Sequence, residues 1–164
     1  MKIKSRFAFF WTTKDYMSNW HLSPFTIDGV SFNCAEQWMM YAKAMLFGDT
    51  VIAKQILAEP VPREQKALGR KVKGFVSEVW GQECFAIMVK GCLQKFLQNP
   101  HLKEQLLATD DLILVEASPH DTIWGIGMDE NHPDATNPDK WIGQNLLGLV
   151  LMEVRRLLRE QHSA

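Results

Sequence analysis

The segment from Cys34 to Phe47 constrains the fold most, because it predicts a helix that is apolar on almost every side. Asn33 is the predicted N-cap, and Gly48 the predicted C-cap. At 100° per residue, the core stripe of the predicted helix consists of Ala35, Met39, Ala42 and Leu46. The opposite side also carries little charge, so other elements have to cover this helix nearly all round.

The rest of the chain predicts further helices and a few short strands. Predicted strands are Arg6–Trp11 and Asp111–Ala117, with a hairpin around Asp28-Gly29. Predicted helices are Asp49–Ala58, Arg63–Arg70, Ser77–Gln98, His101–Ala108 and Lys140–Glu160. This order indicates an α+β fold, in which residues 1–164 form a single compact, helix-rich domain with a small β-sheet.

Composition excludes several classes of function. The formal net charge of −1 argues against a chain-wide nucleic-acid-binding surface, although a local basic rim is compatible with it. No apolar run approaches 18 residues, so no membrane span is expected. Three cysteines without CxxC spacing predict buried free thiols, and no side-chain cluster has metal-ligand spacing. The charged, aromatic start of the chain is interpreted as a first strand in a cytoplasmic protein.

Two opposite charges, Glu36 and Lys43, lie inside the apolar helix. They are two turns apart on one line, so their side chains can face one space. A solvated pair is one interpretation, in which the lysine stem covers apolar surface. The other is an enclosed polar site, because a buried carboxylate has to be paired or shift its pKa, as catalytic groups do. The helical wheel alone leaves both interpretations open.

The C-terminal part of the chain holds further candidates. Residues 118–137 form a long loop rich in Gly, Pro and Asp, and loops of that length are often functional. In the closing helix, Asn145, Gly148 and Arg155 lie on a line separate from the apolar face. A helical glycine indicates the close approach either of a ligand or of another backbone. Arg155 can pair with phosphate or remain solvated.

Seven motifs occur in order along nearly the whole chain: MSN, FTIDGVSFNCAEQWMMYAKA, LGRKV, VW, KFLQNPHLKEQLLAT, VEASPHDTIWGIG and GQNLLGLVLMEVR. Together they resemble the NADAR family, also called the YbiA-like family. After the glutamate that corresponds to Glu36, some members have a histidine and a tyrosine, where this chain has Gln37 and Trp38. No role of that histidine is therefore carried over.

The resemblance implies an N-glycosidase that hydrolyses the C1′–N bond between ribose and a guanine- or aminopyrimidine-type base. One branch of the family acts on ribosylaminopyrimidine phosphates of early riboflavin synthesis. Another removes ADP-ribose from guanine, including guanine in nucleic acid, and the long loop favours this larger substrate. Two alternatives stay open: a non-catalytic reader of ADP-ribose or nucleotide, and a helical interaction domain with a structural Glu–Lys pair.

The resemblance also implies roles for individual residues, and five of them are predicted to converge on one concave pocket: Glu36, Lys43, Asp121, Trp124 and Asn145. The catalytic candidates are Glu36, Lys43 and Asp121. Glu36 would stabilise positive charge on the ribose, and Lys43 would attack C1′, hold a phosphate or donate a proton. The predicted substrate contacts are Asn19, Trp80, Trp124, Gly125, Asn145, Gly148 and Arg155. No metal, other cofactor, membrane or stable protein partner is expected beside the ribosylated base or ADP-ribosylated nucleic acid.

Overall fold

The computed structural model describes residues 1–163 and divides into two compact units. The first unit combines Met1–Ser18 with the chain from His101 onward, and the second is Asn19–Pro100. Helices and short strands occur together, so the predicted α+β class is confirmed. The single domain over 1–164 stays a prediction.

The elements follow one another in the order strand, strand, hairpin, four helices, a fifth helix, strand and closing helix. The strands are β1 (Lys2–Lys4), β2 (Phe7–Phe10), β3 (Phe25–Ile27), β4 (Val30–Phe32) and β5 (Ile113–Glu116). The helices are α1 (Ala35–Leu46), α2 (Thr50–Ala58), α3 (Pro62–Gly69), α4 (Ser77–Leu97), α5 (Pro100–Leu107) and α6 (Leu146–Ser163), with a 3-10 turn at Pro138–Lys140. Among residues 1–163, no helix has the length and apolarity needed to cross a membrane.

The first unit is organised around a three-stranded sheet. Strand β2 lies in the middle, antiparallel to β1 and parallel to β5. All four residues of β2 are apolar and buried, as expected for a strand with a parallel neighbour. Helix α6 packs against β5. The buried positions on its predicted apolar face are Leu147, Val150, Leu151, Val154 and Leu158.

The second unit consists of a hairpin and four helices. Strands β3 and β4 pair through the predicted turn, where Asp28 and Gly29 both have positive φ (50° and 78°), as this class of hairpin turn requires. Helix α1 packs against α2, α3 and α4, so it is covered by several elements as predicted. Its last turn leaves the core, because Leu46 is 39% exposed. All three cysteines of the chain are free and buried, which confirms their prediction as core thiols.

The starts of α1 and α6 differ from their prediction in an informative way, whereas α2, α3 and α5 start within one residue of it. The N-cap of α1 is Cys34, because the side chain of Asn33 instead donates to the Pro60 carbonyl (2.8 Å) and accepts a hydrogen bond from Gln65 (3.0 Å). Helix α6 begins at Leu146, six residues later than predicted. The chain before it forms a turn and a loop, and Asn145 has φ of 54°, outside the helical region.

Candidate active site

The first turn of α1 carries the most enclosed predicted catalytic group. Glu36 is 3% exposed, and its backbone N–H donates to the carbonyl oxygen of Asn19 at 3.0 Å. The Asn19 side chain is also buried, and its Oδ1 has no hydrogen-bond partner within residues 1–163. The helix start therefore brings together two residues that the sequence places in separate motifs.

Lys43 lies two turns further along α1 and is half-buried. Its Nζ is 4.5 Å from the centroid of the Phe75 ring. Burial lowers the pKa of Lys43, the Glu36 carboxylate raises it, and the Arg70 guanidinium lowers it, with a net decrease. The solvated-pair interpretation is wrong for Glu36, because its side chain is buried. An enclosed carboxylate and a lysine with a lowered pKa are suited to acid–base or nucleophilic chemistry.

The positions that depart from the family pattern hold helices together. Gln37 donates from Nε2 to the Ile56 carbonyl (3.0 Å) and accepts at Oε1 from the Asn33 N–H (2.7 Å). Trp38 donates from Nε1 to the Ile87 carbonyl at 2.9 Å. Both side chains thus use their polar atoms in packing α1 against its neighbours. Trp80, the other predicted site residue of the second unit, is half-buried near the start of α4.

Three predicted site residues lie in the loop that follows β5. Asp121 Oδ1 accepts the backbone N–H groups of Ile123 (2.9 Å) and Trp124 (2.8 Å), so this carboxylate folds the start of the WGIG turn. The Trp124 side chain is 8% exposed. A Cβ at Gly125 would lie 2.9 Å from the Glu116 carbonyl oxygen, so the loop needs glycine to pack on the end of β5.

Asn145, just before α6, and Arg155, within that helix, contact β5 and the turn that precedes this strand. Asn145 donates from Nδ2 to the Leu114 carbonyl and accepts at Oδ1 from the Glu116 N–H, both at 3.0 Å. Arg155 is 6% exposed and donates to Thr109 Oγ1 (2.7 Å) and the Leu112 carbonyl (3.0 Å). Its interactions are with protein groups rather than solvent. The catalytic role of Asp121 stays a prediction, as do the substrate contacts of Trp124, Gly125, Asn145, Gly148 and Arg155.

Gly148 lies where α6 packs closely against β5. A Cβ at this position would lie 2.1 Å from the Leu114 carbonyl oxygen, so the backbone alternative explains why this helix contains a glycine. We expect Gly148→Ala to destabilise the protein by about 1–3 kcal/mol, because the strand and the helix must separate. Denaturant unfolding measures this loss.

Gly81 provides a matched control for that substitution, since it also lies in a helix and a Cβ there would meet nothing within 4 Å. Gly81→Ala is expected to raise stability by about 0.5–1 kcal/mol, because alanine restricts the unfolded chain and favours helix. Equal stability of the two alanine variants would contradict the packing role of Gly148.

Sequence reasoning missed Lys95, a fully buried lysine of α4 with 0% exposure. Burial lowers its pKa to about 8, while Cys92 and Cys34 act in the opposite direction. The spacing of the buried α4 positions could have identified it. Cys84, Met88 and Cys92 recur every four residues, and Lys95 falls on the next turn of the same stripe.

Stability is expected to depend on the protonation of Lys95. Its pKa lies near 8 in the folded protein and near 10.4 in an unfolded chain, so the unfolded state binds more protons between these values. The free energy of unfolding should therefore rise with pH from about 8 to about 10.5, by roughly 3 kcal/mol from this group. Lys95→Met should remove that part of the pH dependence, and Lys54→Met, on exposed surface of α2, should retain it. A pH-independent difference between wild type and Lys95→Met would contradict this assignment.

Within residues 1–163, no group of three or more His, Cys, Asp or Glu side chains is arranged to hold a metal ion. Metal independence stays a prediction, and the candidate catalytic groups are the carboxylate and the amine of α1.

The comparisons with known proteins identify the family. Protein irg-1 of Caenorhabditis elegans is 44% identical over 131 residues, which cover 79% of this chain and 62% of that protein. N-glycosidase R617 of Acanthamoeba polyphaga mimivirus is 45% identical over 121 residues, covering 74% and 71%. The NMR structure of the E. coli protein YbiA superimposes with a TM-score of 0.79 at 26% identity, over 98% of this chain and 89% of that one. The NADAR domain pattern matches residues 9–159, and the chain therefore belongs to the NADAR domain family.

Proposed function

We propose that the chain is an N-glycosidase, a hydrolase of N-glycosyl bonds, with Glu36 and Lys43 at its active centre. The burial of Glu36 beside an amine with a lowered pKa carries this proposal. The name of the mimivirus relative, an N-glycosidase, supports the reaction class. The chain covers 62% of irg-1 but 71% of R617, so the relative with the named activity is matched over most of its length.

Hydrolysis breaks the C1′–N bond and leaves its electron pair on the nitrogen of the base. Positive charge develops on the ribose ring, and the Glu36 carboxylate stabilises it. Water supplies a hydroxyl group to C1′, and the remaining proton goes to the departing nitrogen. The Asn19 Oδ1, buried near the backbone of Glu36, is available to accept a hydrogen bond from the substrate.

Lys43 can act in the reaction either covalently or non-covalently. As a neutral amine it attacks C1′ and displaces the base, and the opened sugar then forms a Schiff base that water hydrolyses. As an ammonium group it holds a phosphate or donates the proton to the departing nitrogen. Burial and Arg70 favour the neutral amine, whereas Glu36 favours the ammonium form.

The preferred substrate in this proposal is ADP-ribosylated guanine, because the long loop of residues 118–137 suits a large ligand. Ribosylaminopyrimidine phosphates of riboflavin synthesis are the second candidate. Both substrates join an aminopyrimidine-type ring to a ribose that bears phosphate, so one carboxylate–amine pair serves either.

Separation of the base from the ribose, termed base release, tests the proposal. The purified protein is incubated separately with ADP-ribosyl-guanine DNA, from which cleavage frees ADP-ribose and leaves the guanine in the DNA, and with a ribosylaminopyrimidine phosphate, from which cleavage frees the pyrimidine. Chromatography follows the freed compound in each reaction. Release from the DNA is expected to be faster. Faster release from the aminopyrimidine would assign the second substrate. Binding of either compound without release of base would overturn the N-glycosidase proposal in favour of a non-catalytic reader.

Metal removal is expected to leave turnover unchanged. A carboxylate and an amine can serve glycosidic cleavage without a metal, and no metal-ligand cluster occurs within the described residues. The rate of base release is compared before and after dialysis against EDTA. Loss of activity that an added divalent ion restores would contradict the metal-independent mechanism.

A further inference from the structure

Phe75 places an exposed aromatic ring beside the candidate catalytic amine. Its side chain is 43% exposed, although burial of a phenylalanine side chain stabilises a folded protein. The Nζ of Lys43 lies 4.5 Å from the ring centroid, and the Phe47 ring contacts it edge-on with centroids 5.3 Å apart. A planar group that contacts this ring therefore also lies close to the amine.

The segment that carries Phe75 is anchored by the three residues that precede it. Val72 is buried, and Asp49 accepts the backbone N–H of Lys73 at 2.9 Å. Gly74 has φ of 78°, and a Cβ there would lie 3.5 Å from the Phe47 carbonyl oxygen. Since these contacts fix the backbone, Phe75 is presented by a defined structure.

Arg70 adds a cation to the same surface. It follows Gly69, where a Cβ would lie 1.9 Å from the sulfur of Met40, so the end of α3 packs closely against α1. Met40 is one turn before Lys43, and the Arg70 guanidinium acts electrostatically on the Lys43 amine. Arg70 is exposed and takes part in none of the ion pairs within residues 1–163.

We propose that Phe75 and Arg70 form a substrate-binding subsite beside Lys43, in which Phe75 stacks on the departing base and Arg70 binds a phosphate on the ribosyl group. The inference rests on the proposed function and extends it to two residues that the sequence motifs did not single out as ligand contacts. The ligand class is a planar heteroaromatic ring joined through ribose to phosphate.

The chemistry of the two side chains matches that ligand. Aromatic rings stack on bases, and the planar guanidinium group pairs with phosphate through two parallel hydrogen bonds. Offset rings stack with centroids about 4.5–7 Å apart. Lys43 Nζ contacts the ring of Phe75, so a base that stacks on this ring brings its attached C1′ near the amine.

The competing explanation is packing, in which Phe75 only covers Phe47 and the stem of Lys43. Packing predicts that removing the ring lowers stability without changing ligand affinity. The subsite predicts weaker ligand binding in a protein that stays folded. Melting temperature and binding are therefore measured on the same preparations.

The probe is carbocyclic guanosine 5′-monophosphate, which keeps base and phosphate but has no glycosidic bond to hydrolyse. Calorimetry is expected to give a Kd about 5- to 100-fold weaker for Phe75→Leu and close to wild type for Phe75→Trp, which retains a stacking face. Phe85→Leu is the control, because Phe85 is an exposed aromatic residue of α4. Equal affinity of the Phe75→Leu and Phe85→Leu proteins would overturn the stacking role.

The phosphate role is tested with the same probe and with carbocyclic guanosine, which lacks the phosphate. Arg70→Gln is expected to weaken binding of the nucleotide about 10-fold and to leave nucleoside binding unchanged. Lys71→Gln, which removes the neighbouring exposed cation, should change neither affinity. Equal weakening of both probes by Arg70→Gln would remove the phosphate assignment.

The binding readout separates this inference from the proposed function. Wild-type protein that binds the probe through Phe75 but releases no base from either substrate would retain the subsite and lose the N-glycosidase proposal. Base release that persists with unchanged KM in Phe75→Leu would retain the N-glycosidase proposal and overturn the subsite.

Discussion

Replacing Glu36 with glutamine is expected to reduce turnover by about 10²- to 10⁴-fold while the protein stays folded. Glutamine keeps the size and most of the hydrogen-bonding capacity of the side chain, but it removes the negative charge that stabilises the ribose cation. Ligand affinity should therefore change much less than the rate. Base release and thermal melting, measured on the same purified variant, provide the comparison.

A structural role for Glu36 predicts a different loss. If the carboxylate only balanced Lys43, its removal would leave the half-buried Lys43 cation unpaired and cost up to about 3–5 kcal/mol of stability. That is a large fraction of the stability of an ordinary domain. Glu64→Gln, an exposed glutamate of α3, is the matched control and should preserve both rate and melting temperature. Near-native turnover by folded Glu36→Gln protein would remove Glu36 from the mechanism.

Removing the amine with Lys43→Ala is expected to reduce turnover by a similar factor, about 10²- to 10⁴-fold. Because the net shift lowers the pKa of Lys43, the neutral amine should form at a lower pH than in free lysine. If the amine is the nucleophile, the rate should increase as pH rises through this lowered pKa and then level off. Lys90→Ala removes an exposed lysine of α4 and should leave the rate profile unchanged.

Borohydride distinguishes the two roles of Lys43. Reduction of a Schiff base during turnover should attach the opened sugar to Lys43, and mass spectrometry of the wild type but not of Lys43→Ala should detect it. Without an adduct in active wild-type protein, the nucleophile role fails and phosphate binding or proton donation takes its place. A collapsed melting temperature in both Lys43→Ala and Glu36→Gln would instead assign the pair to structure.

Features set by neighbouring residues were predictable from the sequence. The Asp28-Gly29 hairpin depends on two residues that tolerate positive φ, and the structure has both in that conformation. The apolar face of α6 follows from periodicity alone, and most of its predicted positions are fully buried. The wheel also placed Glu36 and Lys43 on one line, and their electrostatic interaction agrees with that placement.

Features that depend on distant partners were not predictable. Gly148 was equally compatible with the close approach of a ligand and of another backbone, because both require a small residue. The hydrogen bonds of Asn145 to β5 reveal the backbone partner. The predicted first residue of α6 was wrong for the same reason. The N–H groups of Ile142, Gly143 and Asn145 bond to carbonyls 16 to 20 residues earlier, which no local pattern of the chain encodes.

The element order, the hairpin, the apolar faces and the family motifs follow from the amino-acid sequence alone, because they depend on conformational preferences and periodicities within a few residues. Which polar side chains are enclosed depends instead on tertiary packing. It buried Glu36, left Phe75 exposed beside Lys43 and placed Lys95 in the core. The physical reason is that burial, and with it each shift in pKa, depends on the atoms that pack around a group, and these come from residues distant in the chain.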